Sequence, residues 1–165
     1  ESKILLSVGR IEPLKGLDLL LRSMALLNDI PDIRLIIVGG DTENNQELDR
    51  LKLLASDLGI SERTTFTGAV EQSDLPEYYS AADAFILPSY YESFGLVALE
   101  AMACGTPVIA SNTSSIPEIL GENALLVNPH NQDDITDVII RLWQNPSLQK
   151  ELTLKGLKLI LQPCL

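Results

Sequence analysis

Apolar residues along the chain keep two alternating rhythms. Short runs rich in β-favouring residues predict strands at Lys3–Val8, Ile33–Val38, 64–67, Ala84–Leu87, 107–110 and 124–127. Between them apolar residues recur at three- and four-residue spacing, the period of a helix with one buried stripe. Leu17, Leu20, Leu21, Met24 and Leu27 mark one such stripe, and Leu48, Leu51, Ala55 and Leu58 a second. A third comprises Ile135, Val138, Ile139, Leu142 and Trp143. Ser73 or Asp74 is placed to cap a helix over Leu75–Ala81, and Ser115-Ile116-Pro117-Glu118 reads as a capping box with a first-turn proline. Gly59 and Gly105 stand where helices should stop.

The strands are short and mostly apolar, so both of their faces call for cover. That requirement, with the strand–helix alternation, predicts a parallel sheet with right-handed crossovers and helices on both sides. The expectation is α/β: a single doubly wound Rossmann-like domain of about six strands, spanning residues 1–165. The chain shows no internal repeat, low-complexity tract or linker.

Composition narrows the partners. The chain carries 23 acidic against 12 basic residues, a formal charge of −11. A nucleic-acid backbone or an anionic membrane needs a basic face, so neither is expected as a partner. A small anion held by a few local cations remains compatible. No apolar run approaches the roughly 18 residues of a spanning helix, and no signal peptide is evident. Cys104 and Cys164 form no Cys-x-x-Cys pair, which favours reduced thiols and a cytoplasmic setting. With His130 as the single histidine, a zinc site or a serine triad has little to draw on, and no metal site is expected. The absence of an initiating methionine before a strand that begins at Lys3 suggests a domain taken from a longer chain.

In doubly wound sheets ligands bind beyond the carboxyl ends of the strands. The first strand runs into Gly9-Arg10, and Lys15-Gly16 opens the next helix. The second ends at Gly39-Gly40-Asp41, the third at Gly68-Ala69-Val70, and the fifth at Ser111-Asn112-Thr113. The fourth leads into Pro88-Ser89-Tyr90-Tyr91-Glu92-Ser93-Phe94-Gly95. Neither a G-x-G-x-x-G after the first strand nor a G-x4-G-K-[ST] is present, which removes the dinucleotide and P-loop fingerprints. What remains is an anion site made by Arg10, Lys15 and a helix starting near Gly95, whose free N–H groups and positive dipole end favour phosphate.

Two carboxylates frame that helix. Glu92 precedes it, and Glu100 lies inside it, roughly 9 Å along from Phe94 at 1.5 Å per residue. Helical side chains tilt toward the N-terminus, so both acids can flank a diphosphate seated at the tip. Each can accept two hydrogen bonds from a vicinal diol. A glutamate on either side of a diphosphate describes a nucleotide sugar. The surrounding polar residues have plainer readings: Tyr90 and Tyr91 as rim packing, Glu118 as a cap, His130 as a solvated loop residue. Asp133 and Asp134 read as acids favouring a helix N-terminus.

The spacing Gly9-Arg10-x4-Lys15-Gly16, the Glu92-x7-Glu100 pair and the run Glu100-Ala-Met-Ala-Cys-Gly-Thr-Pro-Val-Ile-Ala-Ser together resemble the donor-binding half of GT-B retaining glycosyltransferases of family 4, or group 1, over residues 3 to 158. The resemblance implies half of a GT-B fold that binds a UDP-, GDP- or ADP-sugar, without a metal or other cofactor. By position it implies that Arg10 and Lys15 neutralise the diphosphate, that Glu92 contacts the donor sugar, and that Glu100 holds the ribose diol beside Val97. It further implies that Gly9, Ser93, Phe94, Gly95 and Leu96 line the sugar and phosphates, and that Gly68, Ala69, Val70 and Leu75 face the base. The usual N-terminal acceptor-binding domain would be the missing partner, so the chain is expected to bind donor but turn over poorly alone. The pair Ser114-Ser115 stands where many members carry two glycines. A non-catalytic nucleotide-sugar module, or another GT-B enzyme such as a sugar-nucleotide epimerase, is the alternative.

Overall fold

A computed structural model describes residues 2–40 and 43–163. Asp41 and Cys164, both named above, lie outside the described residues. Among the described residues six strands form one sheet, in the order β3-β2-β1-β4-β5-β6, and every neighbouring pair runs parallel. They are β1 (Lys3–Val8), β2 (Ile33–Val38), β3 (Thr64–Gly68), β4 (Ala84–Leu87), β5 (Val108–Ser111) and β6 (Leu125–Val127). Three strand positions shift by one residue from the sequence expectation: β3 extends to Gly68, β5 runs 108–111 rather than 107–110, and β6 starts at Leu125. Chain order runs outward from β1 on one side and from β4 on the other, so the switch point falls between them.

Among the described residues seven α-helices accompany the sheet: α1 (Leu17–Leu26), α2 (Gln46–Asp57), α3 (Leu75–Ala81), α4 (Leu96–Ala103), α5 (Ile116–Leu120), α6 (Gln132–Trp143) and α7 (Pro146–Leu161). Successive strand residues feed opposite cores, as the two-residue period requires. Leu5, Leu35 and Ile86 pack with Leu20 and Leu21 of α1, Leu51 of α2 and Ile139 of α6. Leu6, Phe85 and Leu87 pack with Tyr79 of α3, Ala98 and Met102 of α4 and Ile116 of α5. The central strands β4 and β5, and β1 from Leu5 on, are therefore buried on both faces, while the edge strands β3 and β6 stay partly exposed.

Helix signals vary in accuracy. Gly59 and Gly105 follow α2 and α4 with φ of 70° and 78°, the left-handed conformation of a helix stop. Asn131 caps α6 through the backbone N–H groups of Asp133 and Asp134, so those two acids do sit at a helix N-terminus. The capping box is not formed. Ser115 holds the N-cap position of α5 but makes no cap bond, because its hydroxyl is drawn to the backbone carbonyls of Glu92 and Ser93. Asp74 likewise holds the N-cap position of α3 without a side-chain cap bond. The sixteen-residue α7, capped by Asn145 and packed on α4 and α6, has no counterpart among the predicted stripes. Among the described residues, no helix is long and apolar enough to cross a membrane.

Candidate functional site at the switch point

The carboxyl ends of β1 and β4 open onto two adjoining cavities. The larger, about 280 Å³, is walled by Val8, Gly9 and Arg10 after β1 and by Gly39 and Gly40 after β2. Ala69, Val70, Gln72 and Leu75 close its far side, and Val97 and Glu100 of α4 complete it. The smaller, about 140 Å³, is lined by Lys15, Glu92, Ser93, Phe94, Gly95 and Leu96. Val8, Gly9 and Val97 belong to both, so one floor joins the two ends.

Backbone conformation puts the charged groups there. Gly16 links a short 3₁₀ turn (Pro13–Lys15) to α1 with φ of 67°. A Cβ at Gly16 would lie 2.1 Å from the Pro88 carbonyl oxygen, so the chain after β1 touches the chain after β4 only because a hydrogen occupies that spot. The contact is sealed where the Tyr90 N–H donates to the Leu14 carbonyl at 2.8 Å. Lys15 is thereby delivered to Glu92, with Nζ 3.0 Å from Oε2 and side chains only 21% and 15% exposed. Ser89, fully buried, donates to the same carboxylate oxygen at 3.3 Å. On the helix side, Gly95 opens α4 with φ of 61°, leaving the N-terminal amides of that apolar helix facing the smaller cavity.

Hydroxyl groups after β5 brace the Glu92 loop from behind. Ser111 donates to the Leu87 carbonyl at 3.1 Å and Thr113 to the Ser89 carbonyl at 3.4 Å. The Glu92 N–H donates to Ser114 Oγ at 3.4 Å, and Ser115 donates to the Glu92 carbonyl at 3.4 Å. These residues support the loop and line neither cavity, in contrast with the rim position expected for 111–113. Ser114 itself has φ of 54°, a conformation that favours glycine, at the place where the resemblance calls for one.

Arg10 and Glu100 differ in how they are held. Arg10 borders the larger cavity, but its guanidinium pairs with Glu12 at 3.0 Å and its side chain is 81% exposed. Glu100 is half-buried, and Oε2 accepts a 2.8 Å hydrogen bond from the Tyr79 hydroxyl. Burial first, then that hydrogen bond, pushes the Tyr79 hydroxyl well above the usual tyrosine range. Gly68 stands behind the cavity, where its carbonyl accepts the Gly39 N–H at 2.9 Å. Phe94 and Leu96 sit at the mouth, 68% and 63% exposed.

Two neighbours read differently from expectation. Tyr90 is more than rim packing: its hydroxyl donates to Asp18 at 3.0 Å, and burial with that bond pushes it up to about 12. His130, although exposed, stacks flat on the Tyr90 ring at a 4.7 Å centroid distance and an 8° tilt. Sequence reasoning gave Tyr79 and Gln72 no place in the site, and Ser89 a place on the rim without a partner. Tyr79 follows Leu75 by four positions and reads as one more residue of an apolar helix face.

Fold and site together define the class of doubly wound α/β domains whose ligand sits at the strand-order switch. Comparison with known proteins makes the assignment specific: the chain belongs to the glycosyl transferases group 1 family, whose model matches residues 1–158. It is 47% identical over 130 residues to a D-inositol 3-phosphate glycosyltransferase of Mycobacterium sp. strain KMS, an alignment covering 77% of this chain and 29% of the relative. A Corynebacterium jeikeium protein of the same name is 44% identical over 154 residues, covering 90% and 37%. The chain thus spans about a third of the length of these curated relatives. Among solved structures it is similar to sucrose-phosphate synthase from Thermosynechococcus elongatus, with a TM-score of 0.87, 36% identity and coverage of 97% and 41%. It is also similar to the C-terminal domain of a glycosyl transferase group 1 protein from Francisella tularensis, with a TM-score of 0.85, 28% identity and coverage of 96% and 85%. The sheet and its helices are those of a GT-B half-domain.

Proposed function

We propose that the chain is the donor-binding domain of a retaining, metal-independent glycosyltransferase that moves a hexose from a nucleoside-diphosphate sugar to an acceptor. The observation that carries this reading is the pair of joined cavities, with a carboxylate in each and, in the smaller, a cation and a helix N-terminus beside it. A nucleoside fits the larger, mostly apolar end, where Glu100 meets the ribose diol and Ala69 and Val70 offer backbone to the base. The diphosphate crosses the shared floor of Val8, Gly9 and Val97. The sugar enters the smaller end beside Glu92.

The chemistry follows from charge. As the glycosidic bond to the diphosphate breaks, negative charge grows on the leaving oxygens, and preorganised cations and amides at that point lower the barrier. Lys15 has three donors and spends one on Glu92. An arriving phosphate takes the others, while Glu92 turns to the sugar hydroxyls. Arg10, tied to the half-buried Glu12, closes over the phosphates. The acceptor site and its groups belong to an N-terminal domain of a parent chain, and transfer retains the anomeric configuration.

Calorimetry of this chain with UDP, GDP and ADP and with their sugars is the direct test. We expect one nucleotide to bind, Glu100→Ala to weaken free nucleotide and sugar nucleotide alike, and Glu92→Ala to weaken only the sugar-linked form. Failure of every nucleotide and nucleotide sugar to bind would sink the reading. With the parent chain, activity that persists in EDTA and a product of unchanged anomeric configuration by NMR are the expected outcomes.

A further inference from the structure

Beside Glu100 lies a third cavity of about 220 Å³, lined by Gln72, Leu75, Pro76, Tyr79 and Cys104. Glu100 borders both this space and the larger site cavity, as do Gln72 and Leu75, so these three residues form the partition between them. A carboxylate in a partition has room to rotate either way unless something fixes it. Among the described residues, the Tyr79 hydroxyl is the one side chain bonded to it, at 2.8 Å on Oε2, and no cation pairs with it.

Tyr79 is built to hold still. Its ring is 1% exposed and meets Phe85 of β4 edge-on, at a 5.7 Å centroid distance and a 63° tilt. Its carbonyl accepts the buried Thr106 hydroxyl at 2.6 Å and the Ala82 N–H at 3.2 Å, which pins the end of α3. A phenylalanine would fill the same core volume. The hydroxyl is the only part of the side chain that packing does not explain, and it is spent on Glu100.

We infer that Tyr79 is a positioning residue: its hydroxyl fixes the Glu100 carboxylate so that the remaining acceptor sites face the vicinal diol of the bound nucleotide. The inference rests on the reading of Glu100 as the diol acceptor. Orientation matters because a diol needs two acceptor lone pairs at one fixed spacing. A carboxylate free to rotate toward the third cavity offers them only part of the time, and the apparent affinity falls by that fraction.

The test compares whichever of UDP, GDP and ADP binds best with its 2′,3′-dideoxy form, by calorimetry on the unaltered chain and on Tyr79→Phe. The unaltered chain is expected to prefer the diol form by about tenfold or more. Tyr79→Phe is expected to cut that preference to about threefold by weakening the diol form alone, with dideoxy binding unchanged. In the Glu100→Ala background the same substitution should change nothing further, since the two side chains act as one unit. A preference that survives Tyr79→Phe intact overturns the inference and leaves the diol reading standing. Equal binding of the two forms by the unaltered chain overturns both. A second readout does not depend on the variant's folding. In chain labelled with 3-fluorotyrosine, assigned through phenylalanine variants at the other three tyrosines, the Tyr79 fluorine resonance should shift on saturation with the diol form and stay in place with the dideoxy form. Equal shifts with both ligands would overturn the inference.

Discussion

The two ends of the site solve one problem with different materials. At the larger end the polar group is anchored from the core: Glu100 sits on a helix and takes the hydroxyl of a buried tyrosine. At the smaller end it is anchored by charge: Glu92 sits on a loop, ion-paired to Lys15 and braced by hydroxyls from the chain after β5. The first end is set before any ligand arrives. The second holds an internal ion pair, which on the proposed reading a phosphate must share, so that its geometry would be coupled to occupancy. Recognition of a constant piece suits the rigid end, and recognition of the reacting group suits the end that responds.

The largest break in that contrast should come from Lys15→Ala. It removes the one cation among the described residues that is both half-buried and inside the smaller cavity, and it leaves Glu92 without its countercharge. By analogy with other preorganised charge stabilisers, turnover of the parent chain should drop about 10²–10³-fold. Nucleoside-diphosphate binding by this chain, measured by calorimetry, should fall more than it does in Arg10→Ala, because Arg10 is exposed and already paired.

Glu92→Ala sharpens the comparison by acting on one end only. The extra affinity of the sugar nucleotide over the free nucleotide should fall about tenfold, the scale of a lost charged hydrogen bond. Free nucleotide should bind at least as well as before, because Lys15 no longer shares its ammonium. A matching loss for both ligands would show that Glu92 merely supports the loop.

A smaller effect is expected at Ser114. Glycine relieves a left-handed residue there, and Ser114→Gly should raise stability by about 1 kcal/mol in thermal or urea unfolding. The same change removes the Ser114 oxygen from the Glu92 N–H, so any cost should appear only in sugar-nucleotide binding.

The smallest concerns alkaline pH. Tyr90 is pushed from an ordinary 10.0 up to about 12, first by burial and then by its bond to Asp18. Its neutral form is favoured in the fold, so its contribution is complete below pH 10 and declines as pH rises from 10 toward 12. Tyr90→Phe should flatten that part of the stability–pH curve, measured by urea midpoints.

Much of this architecture was legible in the chain. Strand and helix periods follow from burial on two faces of a sheet, and burial is what hydrophobic patterning records. The rim loops followed from strand ends, and the carboxylates from their eight-residue spacing across a helix start. The failures were polar. Ser115-Ile116-Pro117-Glu118 satisfies a capping pattern, yet Ser115 serves a loop more than twenty residues earlier in sequence. Hydroxyl partners of that separation leave no periodic trace. The same holds for Tyr79, whose ring obeys the helix pattern while its hydroxyl reaches Glu100 twenty-one residues away.

The sequence by itself determined the parallel α/β domain, its rim and the types of side chain on it, because apolar burial and glycine conformation are local and additive enough to be read in order. Only the tertiary structure decided that Lys15 rather than Arg10 is the cation drawn inward, that serines after β5 are struts, and that Glu100 has a tyrosine behind it. Those outcomes depend on which charged or hydroxyl groups come within 3 or so ångströms of each other once β1 and β4 lie side by side, and hydrogen bonds and ion pairs fall off over that distance. A contact of that range between distant segments exists only in the folded chain.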